Sequence, residues 1–403
     1  MKILMLTPYL PYPPSSGGQV RSYNLIKNLA TNHQITLFSL IKHDEEIKYT
    51  KELEKFCEKV EVFKRSQKPW TLRNILRTGF GFYPFLVIRN LSSAEREAVQ
   101  EELQENHYDL IHAETFYVMP HLPSTSIPIV LTDQTIEYQV YQHYVNNFWL
   151  WPLKPFLYFD VLKLRFWETR FWRKANKVIA VSEADKKKMM RLAPNLDVEV
   201  VPNGAGEDLM ILWPKKISSR EVKILFQANF LWLQNTEAAL FLVEKVFPLI
   251  KKEIPQAVCQ IVGQKAQEKL KKINQAGVKV IDLANDDIEG VKKAYREASV
   301  FLAPLSGPGG TRLKILGAMA AGVPVVTTSV GIEGIEAKDG VHVLIRENPR
   351  ELAKAVIKIL KNKVFYQKIT KVARLLIEKK YSYQAVAQIL DKIYQEVGSG
   401  KKN

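Results

Sequence analysis

Residues 301–334 read FLAPLSGPGGTRLKILGAMAAGVPVVTTSVGIEG, and the succession of structures they specify decides the fold. Phe301-Leu302-Ala303-Pro304 closes a short apolar run, and Ser306, Gly307, Pro308, Gly309 and Gly310 then exclude regular structure. Leu313, Ile315, Leu316, Met319 and Ala320 follow at helical spacing, which predicts a helix from Thr311 to Ala321. Gly322 suits a helix C-terminus, Pro324 blocks continuation, and residues 323–328 have the β-branched density of a buried strand. A loop-to-helix junction leaves backbone N–H groups facing outward, and the helix dipole adds about half a positive charge there. Arg312 and Lys314 are expected in the first turn, where they oppose the dipole; that placement makes sense if a di-anion such as a nucleotide diphosphate shares the site. The glycines taken alone support a plainer reading, a turn with two solvated cations.

The same succession occurs at the amino terminus. Lys2-Ile3-Leu4-Met5-Leu6 reads as a buried strand, Pro8 through Gly18 as a loop ending in Gly17-Gly18, and Asn24 to Ala30 as a helix. Further apolar runs at Ile35–Leu40, Val60–Phe63, Tyr108–His112, Pro128–Thr132 and Lys177–Val181 alternate with helical patterns, which argues a doubly wound parallel sheet. Val201-Pro202-Asn203-Gly204 then breaks the series, and Val222–Gln227 starts a second one. In open α/β sheets ligands bind beyond the carboxyl ends of the strands. That makes His112, at the predicted end of such a strand, a candidate ligand residue, although a lone histidine is more often structural.

Several separated stretches resemble one known family, in its order and spacing. They are KILMLTPYLPYPPSSGGQVRSYNLIKNLA from Lys2, KVIAVSEADKKKM from Lys177, VPNG from Val201, FLWLQNTEAALFLVEKVFPLIKKEIPQAVCQIVG from Phe230 and GGTRLKILGAMAAGVPVVTTSVGIEGI from Gly309. Together they resemble the family 4 glycosyltransferases, retaining nucleotide-sugar enzymes of GT-B fold. The resemblance implies two Rossmann-like α/β domains facing each other across a cleft. Residues 1–203, with the terminal helix 382–397 packed back on them, would form the acceptor side, and 204–381 the donor domain. It implies donor contacts from Gly17, Gly18, Gly309, Gly310, Thr311, Arg312, Leu313, Lys314 and position 317, and a sugar-contacting histidine near His112. It also implies transfer to a glycan or lipid-linked acceptor without metal, cofactor or protein base, because the departing phosphate takes the acceptor proton.

Three departures from the family pattern stand out. Gly317 replaces a glutamate that hydrogen-bonds the donor ribose, Gly309 stands where the other acid of the pair would fall, and Gln134 occupies a position often held by histidine. Losing two acceptors for a ribose diol costs roughly 2–4 kcal/mol of binding if nothing replaces them. A noncatalytic sugar-nucleotide or glycan binder is therefore the competing expectation; a GT-B epimerase fits the GGTRLK loop poorly. Glu333 is the nearest acid to take over the ribose role, and a solvated loop acid is its simpler reading.

Length and composition set the frame for these readings. A chain of 403 residues exceeds the usual single-domain size, and 46% hydrophobic with 25% charged residues is ordinary for a globular protein. Two cysteines, Cys57 and Cys259, exclude a disulfide scaffold and suit a reducing cytoplasm. No signal-peptide core or spanning segment is expected. The net charge of +16 requires an anionic partner, and no nucleic-acid-binding motif is present. A nucleotide substrate or an anionic membrane surface remains. The stretch FWLWPLKPFLYFDVLKLRFWETRFWRKANK, from Phe148, interleaves aromatic and basic side chains as interfacial segments do. A core or interdomain helix with a basic outer face fits it equally.

Overall fold

A computed structural model describes residues 1–212, 222–307 and 311–400. The chain divides into two compact units, Met1–Pro202 with Ala387–Asn403, and Asn203–Val386.

The first unit holds a seven-stranded sheet of β1 (Lys2–Thr7), β2 (Gln34–Ile41), β3 (Lys59–Lys64), β4 (Leu110–Glu114), β5 (Ile129–Asp133), β6 (Lys177–Ala180) and β7 (Val198–Val200). Their order is β3-β2-β1-β4-β5-β6-β7, all parallel. Strands such as LIHAE of β4 are buried along their whole length, as strands covered on both faces must be, and so they read as apolar runs rather than alternations. Leu4, Leu6, Phe38, Ile111 and Trp172 are fully enclosed in the core, each apolar side chain contributing about 1.5–3 kcal/mol.

The second unit holds β8 (Val222–Gln227), β9 (Ala257–Gly263), β10 (Val278–Asp282), β11 (Val300–Ala303), β12 (Val325–Thr327) and β13 (Leu344–Ile345). Their order is β10-β9-β8-β11-β12-β13, again parallel. Both units are Rossmann-like, and the fold is α/β of GT-B kind. In each sheet the order reverses beside the first strand, between β1 and β4 and between β8 and β11. A crevice opens at such a point, because successive helices leave to opposite faces.

Local boundaries depart from the sequence reading in two instructive places. The loop expected through Gly18 stops earlier: the first helix spans Gly17–Leu29, with Ser16 as its N-cap accepting from the Gln19 amide. The helix after the glycine loop is shorter than expected, Leu313–Ala320, with Arg312 at the N-cap position, so only Lys314 lies within the first turn. Its C-terminus follows the expectation. Gly322 is left-handed at φ 68°, and the Val323 amide reaches back 2.9 Å to the Ala318 carbonyl. Among the described residues no helix is long and apolar enough to cross a membrane.

Candidate functional site

In the second unit, Arg312 and Lys314 come together at the strand ends beside the β8/β11 reversal. Arg312 is buried and donates from Nη2 to the Gly307 carbonyl at 2.7 Å, which shapes the start of the glycine loop. Lys314 donates from Nζ to Asn235 Oδ1, and its ammonium lies 5.3 Å from the centre of the Phe226 ring. Asn235 is held in turn by its Nδ2, which donates to the Asn229 carbonyl at 2.7 Å. Burial, then the charge of Arg312, pushes the Lys314 ammonium down to about 7. No ion pair neutralises Lys314 among the described residues. Thr311 is buried beside them, and Leu313 packs against the core. Gly309 and Gly310 lie outside the described residues.

Gly317 is buried on the inner face of this helix. A Cβ added there would stand 2.9 Å from Leu209 Cδ1 and 3.3 Å from the Tyr295 hydroxyl. The Tyr295 hydroxyl itself donates to the Lys314 carbonyl at 3.1 Å. Hence the space beyond Gly317 is occupied by the protein's own side chains, a contact with residues 108 and 22 positions away that no local pattern announces.

In the first unit, the strand ends at the β1/β4 reversal carry a different chemistry. His112 is fully buried, its Nε2 3.1 Å from Glu114 Oε2 and 3.0 Å from Thr132 Oγ1, and its Nδ1 bonded to the Tyr394 hydroxyl. Burial works to raise the Glu114 carboxyl, but contacts with His112, Arg21 and Gln134 hold it below the usual carboxylate range. An ionised Glu114 accepts only, which makes Nε2 the donor in this contact. The structure thus places His112 inside the unit with both ring nitrogens engaged. Tyr394 of the terminal helix also packs edge-on against the His112 ring, with centroids 5.6 Å apart.

Glu114 Oε1 accepts from Gln134 Nε2 at 2.9 Å, and Gln134 also reaches the Tyr9 hydroxyl at 3.1 Å. Gly18 belongs to this group: a Cβ there would meet Tyr9 Oη at 2.0 Å, so the glycine admits the tyrosine ring. Gly17 opens the same helix. Sequence reasoning missed Tyr9 and Tyr394, whose roles depend on contacts across the fold. A second group of acids lies alongside. Asp133 accepts from the Phe116 amide at 3.1 Å and from Trp172 Nε1, and Glu168 accepts from the amides of Glu137 and Tyr138 at 2.7 and 3.2 Å. Burial pushes Glu137 up to about 7 and raises Asp133 and Glu168 as well.

The aromatic and basic stretch forms the helix Lys154–Trp172 and the turn before it. Trp149 and Trp151 are 79% and 77% exposed, and Phe156, Phe159, Leu162 and Phe166 are also exposed. Lys163 ties this helix to the end of the helix Leu72–Phe80 by donating to the Thr78 and Gly81 carbonyls at 2.6 and 2.7 Å. Val161, Leu164, Phe171 and Trp172 of the same helix are buried, so the stretch carries a core face as well as an exposed aromatic one.

Comparison with known proteins matches one family model to each unit. The model described as Glycosyltransferase Family 4 covers residues 15–208, and that described as Glycosyl transferases group 1 covers residues 221–362. An uncharacterized 44.6 kDa protein in the cps region of Klebsiella pneumoniae is 22% identical over 380 residues, 90% of this chain and 91% of that protein. A phosphatidyl-myo-inositol mannosyltransferase of Mycobacterium leprae is 25% identical over 232 residues, 56% of this chain and 60% of the relative. Among solved structures, Anabaena HepE in complex with UDP superposes with a TM-score of 0.64 at 18% identity, over 98% of this chain and all of that one. With a glycosyltransferase model on each of its two Rossmann-like units, the chain is a glycosyltransferase of the family 4 and group 1 type, of GT-B fold.

Proposed function

We propose that the chain transfers a sugar from a nucleotide-diphosphate donor, with retention of anomeric configuration, to a glycan or lipid-linked acceptor in cell-envelope or polysaccharide biosynthesis. The observation that carries this reading is the cation pair of buried Arg312 and half-buried Lys314 at a strand-order reversal, with no ion pair on Lys314 among the described residues. Two cations so placed repel each other and are desolvated. A bound diphosphate relieves both costs, and it restores the ammonium to its charged form at neutral pH. In the reaction the bond from C1 to the phosphate oxygen breaks and a bond from C1 to the acceptor oxygen forms on the same face. The acceptor proton goes to the departing phosphate, and Arg312 and Lys314 stabilise the charge that develops there. Thr311, Leu313 and the glycines of both loops line the donor in this reading, and His112 acts through Glu114. UDP in the HepE complex and the lipid acceptor in the mannosyltransferase's name are consistent with it.

Gly317 favours a second reading. Since Leu209 and Tyr295 fill the space beyond it, the ribose loses an acceptor, and a binder without turnover follows if nothing compensates. Isothermal titration with UDP, GDP and ADP, followed by donor hydrolysis with the corresponding sugar nucleotides, decides the matter. Binding with hydrolysis is expected; binding without hydrolysis selects the second reading, and binding of none removes both. A peripheral position on the inner face of the cytoplasmic membrane is part of this proposal, and the exposure of Trp149 and Trp151 supports it.

A further inference from the structure

A second group of cations lies in the first unit, at the carboxyl ends of β2 and β3, and no part of the donor site accounts for it. The β2–β3 register pairs Ile41 with Lys64, and the Arg65 amide donates to the Ile41 carbonyl at 2.9 Å, so Lys42 and Arg65 leave the sheet side by side. Arg65 Nη1 donates to Asn90 Oδ1, which brings it to the helix Phe85–Asn90 and so to Arg89. The Nε atoms of Arg65 and Arg89 are both enclosed without a hydrogen-bond partner. Partial burial, then the charges of Arg65 and Arg89, pushes the Lys42 ammonium below its usual value, and burial does the same to Arg65.

Two acids are near and offset the three cations only in part, the charge of Glu46 acting on Lys42 and Arg65. Glu46 turns its Oε1 to the amides of Lys42 and His43, at 2.9 Å each. Glu137 is raised to about 7 despite the charge of Arg89. The hydroxyls of Tyr9 and Tyr117 complete the surroundings. Three cations that converge with enclosed donors unsatisfied are costly in an empty protein, and an anion that accepts from them removes the cost.

The same short helix borders an apolar groove. Leu76, Phe80, Phe82, Tyr83 and Ile88 line a cavity of about 510 Å³, and Phe80 and Phe82 are exposed at its rim. Ile88 at the groove and Arg89 in the cationic group are carried by the same six-residue helix, about 9 Å long, so both lie within reach of one amphiphilic molecule. An apolar groove with a cationic end complements a molecule with a hydrocarbon chain and an anionic head.

We propose that the first unit binds the phosphate or diphosphate of an amphiphilic acceptor on Lys42, Arg65 and Arg89, with its hydrocarbon in the groove lined by Leu76, Phe80 and Ile88. This rests on the glycosyltransferase reading and narrows its acceptor to a lipid-linked phosphate. The test is titration of the full chain with geranyl diphosphate and, separately, inorganic pyrophosphate, each with and without saturating UDP. Geranyl diphosphate should bind in the presence of UDP and about tenfold more tightly than pyrophosphate, a factor worth about 1.4 kcal/mol. Arg89→Gln and Lys42→Gln should each weaken both ligands by about fivefold or more and leave UDP affinity unchanged, whereas Phe80→Ser should weaken only geranyl diphosphate. Because each cation variant relieves like-charge repulsion, its melting temperature should equal or exceed that of the parent, which separates lost binding from lost folding. Equal affinities for the two ligands would mean a site for free phosphate only and overturn the proposal, as would cation variants that bind like the parent. Failure of UDP alone would instead count against the donor reading, since geranyl diphosphate binding is measured without it as well.

Discussion

The two units are built on one plan, parallel strands reversing order beside the first strand, yet the charges immediately beside the two reversals are arranged in opposite ways. The first unit places Glu114 against His112, Arg21 and Gln134, so that the acid, the imidazole and the tyrosine hydroxyls satisfy one another. The second places Arg312 and Lys314 together and, among the described residues, gives Lys314 an amide oxygen and an aromatic face in place of an acid. A satisfied network stabilises the fold and is costly to cut; a desolvated cation such as Lys314, with no ion pair among the described residues, costs stability that an anionic ligand restores. The polar groups of a site are thus best sorted by what they lack. Saturated groups hold the scaffold, and groups short of partners await substrate.

The sharpest way to break this comparison is to remove one member from each side. His112→Ala leaves the buried Glu114 and Tyr394 without their shared partner and opens a cavity, so urea denaturation should show a loss of about 2–4 kcal/mol. Lys314→Met, by contrast, should leave stability within about 1 kcal/mol of the parent or raise it, as replacement of buried charge often does. A costless His112→Ala would mean that the first network is as idle as the second. Next in size, Arg312→Ala should weaken UDP by roughly 1.5–3 kcal/mol, the range for a charge-assisted contact, measured by titration calorimetry. Unchanged affinity would remove Arg312 from the donor site.

Gly317 sharpens the comparison from inside the second unit. Gly317→Glu forces a carboxylate against Leu209 and Tyr295 and should cost about 1–3 kcal/mol of stability. Adding Leu209→Ala should recover at least half of that loss, and only the double variant should bind UDP more tightly than the parent. A single variant that is both stable and tighter would show that Leu209 yields freely.

The proton balance of the two units should differ in sign. Glu137 at about 7, with Asp133 and Glu168 also raised, is protonated in the fold and ionised in the unfolded chain above about pH 4. The folded state therefore binds more protons, and these groups withdraw stability as pH rises from about 4 through 7. Lys314, at about 7 against 10.5 unfolded, binds fewer protons when folded and adds stability as pH rises across that interval. Hydrogen exchange should show amides of the first unit opening more readily at pH 8 than at pH 5.5, and amides around Lys314 less readily at pH 9.5 than at pH 7. The opposite trend in the first unit would mean that those acids are ionised in the fold. The smallest effect expected is at the surface: Trp149→Ser with Trp151→Ser should reduce sedimentation with anionic vesicles, with an unchanged melting temperature. Equal sedimentation would detach this patch from the membrane reading.

Much of the architecture was legible because it is written locally. The glycine loop, the helix with its Gly322 terminus and the following strand lie within residues 301–334, and both Rossmann-like series follow from alternation of apolar runs. The cation pair was legible too, since Arg312 and Lys314 are two residues apart. The environments were not. Tyr394 reaches His112 across 282 residues, Leu209 fills the space of position 317, and Lys42, Arg65 and Arg89 converge from three elements. Periodicity reports which face of an element is buried, and it carries no record of what stands opposite.

The terminal helix Tyr383–Gly398 has a consequence for the order in which the protein can be made. Asp391 bonds His33 at 2.8 Å and Tyr394 bonds His112, and the first unit takes in residues from Ala387 onward. A ribosome has therefore released all of Asn203–Val386 before the first unit can cover its own histidines. The second unit is continuous and can close as soon as it emerges, whereas the first must wait, holding an uncovered imidazole and an unshielded Glu114, for the last twentieth of the chain.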